Sequence, residues 1–120
     1  MKKSVLIVDD DDLMVETLIQ RLKNEDFEAI YVNNAYQALD LVIKNTKFDL
    51  IIIDLMLPKL SGLKLLKILN IHYPSTVPII FISSMNNPEI ILNTIERGAK
   101  DFFTKPINLE ELMSKIRLLV

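Results

Sequence analysis

The chain has 120 residues, half of them apolar, with a formal net charge of −2 and no cysteine. That length and apolar share suit a single domain over 1–120 with its own core. The lack of cysteine excludes a disulfide framework and a thiolate metal site and permits a cytoplasmic location, while the slight negative charge argues against sequence-independent nucleic-acid binding by this chain. No apolar run approaches the roughly 18 residues that a spanning helix needs, so no membrane segment is expected. The start Met1-Lys2-Lys3 and Val5 to Val8 resembles a signal peptide only until Asp9, too early for an apolar region of that kind.

In chain order, Val5 to Val8 predicts a short strand, and after the cluster Asp9 to Asp12 the spacing of Met14, Leu18 and Leu22 predicts a helix. Glu28 to Val32 reads as a second strand, and Ala35, Ala38, Leu39, Val42 and Ile43 mark the apolar face of a second helix. Phe48 to Asp54 is a third strand. It is apolar at every position from Leu50 to Ile53, the pattern of a strand covered on both faces in a parallel sheet. From Ser61 a leucine-rich helix with Leu65, Leu66 and Leu69 runs to about His72, where Pro74 forbids continuation. The lone His72 has no second His or Cys nearby and reads as a surface or capping residue.

Pro78 to Ile82 is a fourth strand ending at Ser83-Ser84. Asn87 can cap the next helix, with Pro88 at its first position and Gly98 just past its end, and Ile91, Leu92 and Ile95 as its apolar positions. Asp101 to Thr104 forms a fifth strand. Asn108 with Glu111 three residues on opens a last helix, with Leu112, Ile116 and Leu119 inside. Five strands alternating with five helices predict a three-layer α/β sandwich around a parallel sheet, with right-handed crossovers. Strand order stays open from alternation alone.

Asp9, Asp10, Asp54, Ser83 and Lys105 all fall at strand C-termini, which gather on one edge of a parallel sheet, where open α/β sheets bind ligands. A carboxylate such as Asp54, with apolar neighbours on both sides, is costly to bury unless a charge or hydrogen bond meets it. It could instead cap a following helix, but Pro58 and Ser61-Gly62 put that helix several residues later. Carboxylates converging from two strand ends repel one another unless a cation sits among them. Magnesium suits such a set, since it takes oxygen ligands and completes its shell with water and phosphoryl oxygen. An aspartate nucleophile, a metal, a hydroxyl from Ser83 and the charge of Lys105 are the parts of a phosphoryl-transfer site. A cis Lys105-Pro106 bond would fit the aiming of that lysine. Asp11 and Asp12 read as residues of the helix N-terminus, where the macrodipole favours negative charge.

Four strings in order, Val-Leu-Ile-Val-Asp-Asp-Asp at 5–11, Asp-Leu-Ile-Ile-Ile-Asp-Leu-Met-Leu-Pro at 49–58, Pro-Ile-Ile-Phe-Ile-Ser-Ser at 78–84 and Gly-Ala-Lys-Asp-Phe-Phe-Thr-Lys-Pro at 98–106, resemble the receiver domain of two-component response regulators over the whole chain. The resemblance implies a flavodoxin-like fold with strand order 2-1-3-4-5. It implies that Asp54 takes a phosphoryl group from the phosphohistidine of a sensor kinase or phosphotransfer protein. Magnesium would be held by Asp10 and Asp54 directly, by Asp9 through water, and by the main-chain carbonyl of Met56. Ser83 matches the switch hydroxyl, Lys105 the site lysine and Phe102 the aromatic switch. Serine stands where threonine is usual and loses a methyl that restrains the rotamer, and phenylalanine stands where tyrosine is common and has no hydroxyl to bond. The resemblance further implies output through the fourth helix, fifth strand and last helix to an effector domain, a downstream protein or a second copy in a homodimer, with Lys100, Asp101, Lys115 and Arg117 offering complementary charge.

Three other functions are weighed against this. A magnesium-dependent phosphohydrolase would use the Asp-x-Asp within 9–11, but needs late acidic ligands where this chain has Ser83, Ser84 and Met85. A receiver-like interaction module without phosphorylation is disfavoured by Asp9, Asp10, Asp54 and Lys105 all being in place. Only two glycines, Gly62 and Gly98, exclude a glycine-rich phosphate loop for a nucleotide or flavin. The chain is therefore expected not to be an enzyme on an external substrate, and to catalyse only its own phosphorylation and dephosphorylation.

Overall fold

The computed structural model describes residues 2–44, 47–72 and 76–120. Its elements are β1 (Lys3–Val8), α1 (Asp12–Asn24), β2 (Phe27–Val32), α2 (Ala35–Ile43), β3 (Leu50–Asp54), α3 (Gly62–His72), β4 (Ile79–Ser83), α4 (Pro88–Glu96), β5 (Asp101–Thr104) and α5 (Leu109–Leu119). All five strands are parallel, in the order β2-β1-β3-β4-β5. The alternation and the order both match the expectation, with element ends moved by one or two residues. The expected stop at Pro74 lies outside the described residues.

Period-two alternation sorts the strand side chains into two cores. Val5, Ile7, Leu50, Ile52, Ile80 and Ile82 face α1 and α5, where Val15, Leu18, Leu22, Leu112, Met113 and Ile116 close the layer. Leu6, Val8, Ile51, Ile53, Ile79 and Phe81 face the other side, against Ala35, Ala38, Leu65, Leu66 and Leu69. This explains why β3 reads as unbroken apolar sequence: every residue from Leu50 to Asp54 is buried, with Leu50 and Ile52 on one face and Ile51 and Ile53 on the other. Each such aliphatic side chain contributes about 1.5–3 kcal/mol on burial.

The helices start where side-chain oxygens meet the first free N–H groups. Asp11 accepts from the Met14 N–H at 3.2 Å, Asn34 from Gln37 at 3.0 Å, Asn87 from Ile90 at 2.9 Å and Asn108 from Glu111 at 3.1 Å. Two helical faces differ from expectation. Ile43 at the end of α2 is exposed, although its neighbour Val42 packs against the core. In α4, Thr94 is the fully buried residue, while Leu92 and Ile95 are exposed.

The register of the central strands levels their C-terminal ends. Val8 pairs with Ile53, Asp54 with Ile82 and Ser83 with Thr104. The residues that follow, Asp9 and Lys105, therefore stand beside Asp54 along one edge.

Candidate functional site

Asp54 ends β3 with a buried carboxylate. Its Oδ1 accepts from the Met56 N–H at 2.9 Å and its Oδ2 from Lys105 Nζ at 3.2 Å. It does not cap α3, whose first turn is met instead by Ser61 Oγ accepting from the Lys64 N–H at 3.3 Å. Asp9 follows β1 and is fully buried; its Oδ1 accepts from the Asp11 N–H at 2.8 Å and from Lys105 Nζ at 3.3 Å. Lys105 thus bridges two strand ends across a cis Lys105-Pro106 peptide, the isomer the sequence suggested. Its ammonium also lies 4.0 Å from Asp11 Oδ2.

Asp10 turns outward but keeps a carboxylate oxygen close to the other two: one ligand atom from each of Asp9, Asp10 and Asp54 lies within 4.8 Å of the others. The donors are all oxygen, which suits a hard divalent cation rather than a soft one. Asp9 Oδ2 adds a specific reason for a cation. It is buried and accepts no hydrogen bond, though Lys105 Nζ stands 3.3 Å away in poor geometry. Burial, and next the charge of Asp54, raise the Asp9 pKa to about 6 against the lowering effect of the Asp11 N–H and Lys105. Burial alone would lower the Lys105 pKa, but the charges of Asp54 and Asp9 outweigh it and hold the ammonium above its usual value. Together the residues fit a bound cation: acidic, oxygen-rich and short of positive charge.

Ser83 is fully buried at the end of β4, its Oγ accepting from the Met85 N–H at 3.0 Å. Phe102 of β5 is half-buried and packs on the core that includes Phe81. The side chains of Met56 and Met85 are exposed, at 54% and 42%. Asp11 and Asp12 belong to the helix start as expected, Asp12 also accepting from the Tyr31 hydroxyl at 2.7 Å. Of the charges expected on the output face, Asp101 and Lys115 pair with each other at 3.5 Å and Arg117 pairs with Glu25 at 2.7 Å.

One supporting residue escaped the sequence reading. A Cβ on Gly62 would stand 2.7 Å from the Asp54 carbonyl oxygen and 2.9 Å from Leu55 Cα, so only glycine lets α3 start directly against the backbone that carries Asp54. The signal was its scarcity: one of two glycines, eight residues after the key aspartate.

The arrangement, an acidic cluster with a bridging lysine at the C-terminal edge of a 2-1-3-4-5 sheet, has a known counterpart. The response regulator receiver domain model matches residues 5–117, and the chain belongs to that family, the phosphoacceptor signalling domains of two-component systems. Among relatives, a cyclic di-GMP phosphodiesterase of Thermotoga maritima is 36% identical over 113 residues, covering 94% of this chain and 30% of that protein. The DNA-binding response regulator MtrA of Mycobacterium tuberculosis is 32% identical, covering 98% of this chain and 50% of that protein. The chain thus spans half or less of the length of these relatives. Among solved structures, the receiver domain of Francisella response regulator 1452 superposes with a TM-score of 0.90 at 29% identity, covering 98% of this chain and 96% of that one. A CheY-like receiver domain protein from Methanospirillum hungatei gives 0.90 at 28% identity, covering 98% and 93%.

Proposed function

We propose that Asp54 is the phosphoacceptor. One Asp54 oxygen attacks the phosphorus of a phosphohistidine in line; the P–O bond forms, the P–N bond breaks, and its electron pair returns to the imidazole nitrogen of the donor. The observation that carries this reading is the Asp54 carboxylate itself: buried at the end of β3 and oriented by the Met56 N–H and Lys105 Nζ. Asp9, Asp10 and Asp54, with the main-chain carbonyl of Met56, would hold Mg2+, which when bound neutralises phosphoryl oxygens. Lys105 supplies a positive charge to an equatorial oxygen, and Ser83 a hydroxyl once it leaves the Met85 N–H. Phe102 then fills the space behind Ser83. The domain formed by residues 1–120 acts on no external substrate and catalyses only the gain and loss of its own phosphoryl group.

The donor is a sensor histidine kinase or a phosphotransfer protein in the cytoplasm. Beside Lys105 lies an apolar cleft of about 290 Å³ whose lining includes Leu13, Met14, Pro106, Ile107 and Leu109, continuous with the acidic site through Asp11 and Lys105. A donor helix resting there would present its phosphohistidine to Asp54. The signal is read on the face of α4, β5 and α5 by an effector domain, a downstream protein or a second copy. A homodimer built on Asp101, Lys115 and Arg117 would first have to release their pairs within the chain.

The test is incubation with Mg2+ and a small phosphodonor, followed by intact mass. The wild type gains one phosphoryl group, and Asp54→Asn gains none. Equal labelling of both would overturn the assignment.

A further inference from the structure

Between Leu55 and Lys100 the chain carries five cations, Lys59, Lys64, Lys67, Arg97 and Lys100, against two carboxylates, Glu89 and Glu96. This stretch is positive in a chain whose net charge is −2, so the remainder is the more acidic for it. All five cations are exposed. Among the described residues none of the five meets a carboxylate, whereas Lys2, Arg21, Lys44, Lys105, Lys115 and Arg117 each do. A solvated charged face would account for that alone, but two of the five also flank a groove.

The groove has a volume of about 180 Å³ and runs between α3 and the end of α4, lined by Leu63 and Leu66 and by Lys67, Asn70 and Arg97. Lys64 stands one turn before Lys67 on α3, about 4.5 Å along the axis. On α4, about 100° per residue puts Arg97 about 60° from the buried Thr94, on the same side as Ile90, which packs on the core shared with Leu63. Asn70 holds the two helices together, its Nδ2 donating to the Arg97 carbonyl at 3.0 Å. A cation at a helix end ordinarily serves the carbonyls there. Here other groups do so: the Gly98 N–H donates to the Ile95 carbonyl at 3.0 Å, the Ala99 N–H to the Thr94 carbonyl at 3.1 Å, and Asn70 to Arg97. Arg97 Nε donates to Asn93 Oδ1 at 2.9 Å, which orients the guanidinium and, among the described residues, leaves its two Nη groups to donate elsewhere.

We infer that the groove between α3 and α4 is a docking site for an acidic segment of a protein partner, whose carboxylates meet Lys64, Lys67 and Arg97 while one of its apolar side chains rests on Leu63. The planar fork of Arg97 matches a carboxylate in a two-bond arrangement. A phosphate suits the place less well, because the negative end of the α4 dipole lies there and opposes a dianion more than a monoanion. The apolar lining likewise favours a peptide side chain over a nucleotide. The site is on the flank of α4 away from Ile91 and Ile95, so it is distinct from the face of α4, β5 and α5, and it requires no phosphoryl group on Asp54.

The test uses the unphosphorylated chain and a fluorescein-labelled peptide of repeated Glu-Leu-Glu-Glu, with a control peptide in which every glutamate is glutamine. Fluorescence anisotropy should show binding of the acidic peptide, none of the control, and an affinity that falls as salt rises. Amide shifts in the NMR spectrum should concentrate at Leu63, Lys67, Asn70 and Arg97. Lys67→Gln with Arg97→Gln should weaken binding by about tenfold. Both side chains are exposed, so this variant should melt as the wild type does. Lys3→Gln with Lys23→Gln, which removes two exposed cations on β1 and α1, should leave binding unchanged. Failure of the acidic peptide to bind, equal binding of the glutamine peptide, or equal losses in the two double variants would overturn the site. Tighter binding of a DNA duplex or of inorganic phosphate at the same ionic strength would overturn the choice of a carboxylate partner.

Discussion

Helices α4 and α5 occupy neighbouring places after β4 and β5, and both begin at an asparagine cap, yet they are held by different means. The α5 helix buries Leu112, Met113 and Ile116 completely. It is also tied to α1 by Arg21, which bonds Glu25 at 2.6 Å and Glu110 at 2.6 and 3.0 Å, and by Arg117, which bonds Glu25 at 2.7 and 3.0 Å. The α4 helix buries a threonine and leaves two large aliphatic side chains in water. The contrast separates a tightly packed, ion-paired frame on the α1 and α5 side from a lightly packed helix next to Ser83. A switch needs both, since a small change at the site must leave most of the fold in place while one bistable element responds.

The contrast is broken most directly by truncating one isoleucine on each helix. Ile116→Ala should cost about 3 kcal/mol, because it leaves a cavity in a closed core. Ile95→Ala should cost less than about 0.5 kcal/mol in the unphosphorylated protein, as is usual for exposed positions. Urea unfolding measures both, and similar losses would mean that α4 is packed as tightly as α5.

Magnesium should stabilise the protein by about 2.7 kcal/mol at 100 times its dissociation constant, if it binds the folded state alone. Asp54→Asn should greatly reduce that gain. A thermal melt indifferent to millimolar Mg2+ would leave the orphaned Asp9 oxygen without the cation inferred for it.

The metal-free protein should show the burial of Asp9 in its pH dependence. Its pKa rises from 3.8 to about 6 on folding, so the folded state holds the proton more tightly. The Asp9 contribution is then fully favourable below about pH 4 and is lost as pH rises through about 6. Asp9→Asn should therefore be more stable than wild type at pH 7.5, by on the order of 2 kcal/mol, and no more stable at pH 4. A stability difference that does not change between those pH values would contradict the burial of an ionisable carboxylate there.

Two methionines bear on how long the switch stays set. Neither Met56 nor Met85 can orient an attacking water, and both are bulky. Slow loss of the phosphoryl group is expected. Met56→Asn with Met85→Glu should shorten the lifetime by about tenfold, roughly 1.4 kcal/mol in the barrier. Decay of the phosphorylated mass after donor removal gives the rate, and an unchanged rate in the double variant would remove these positions from control. The smallest effect should come from Arg117→Ala, since partly exposed ion pairs are screened by solvent and salt. It should lower stability slightly at low salt and not at high salt.

Most of this architecture was legible in the sequence because each element carries its own period. The unbroken apolar run of β3, the caps at Asn87 and Asn108 and the leucines of α3 leave little choice, and strand ends then collect Asp9, Asp54, Ser83 and Lys105 without knowledge of the strand order. The α4 face was misread for a physical reason: periodicity finds the apolar side of a helix, whereas the side buried here carries Thr94, whose hydroxyl is satisfied locally by the Ile91 carbonyl. Gly62 was passed over because its role lies in a close backbone approach, which sequence spacing does not report. The pairing of Asp101 with Lys115 and of Arg117 with Glu25 likewise depends on tertiary neighbours.

The central claim is that the phosphoryl group rests on the carboxylate of Asp54. Reduction of the phosphorylated protein with borohydride converts an acyl phosphate to an alcohol, so peptide mass mapping identifies its position as homoserine. The account predicts homoserine at position 54 alone, formed only in protein that has received Mg2+ and phosphodonor. Homoserine at position 9 or 10 instead, or a phosphoryl group on Ser83 that resists reduction, would contradict it.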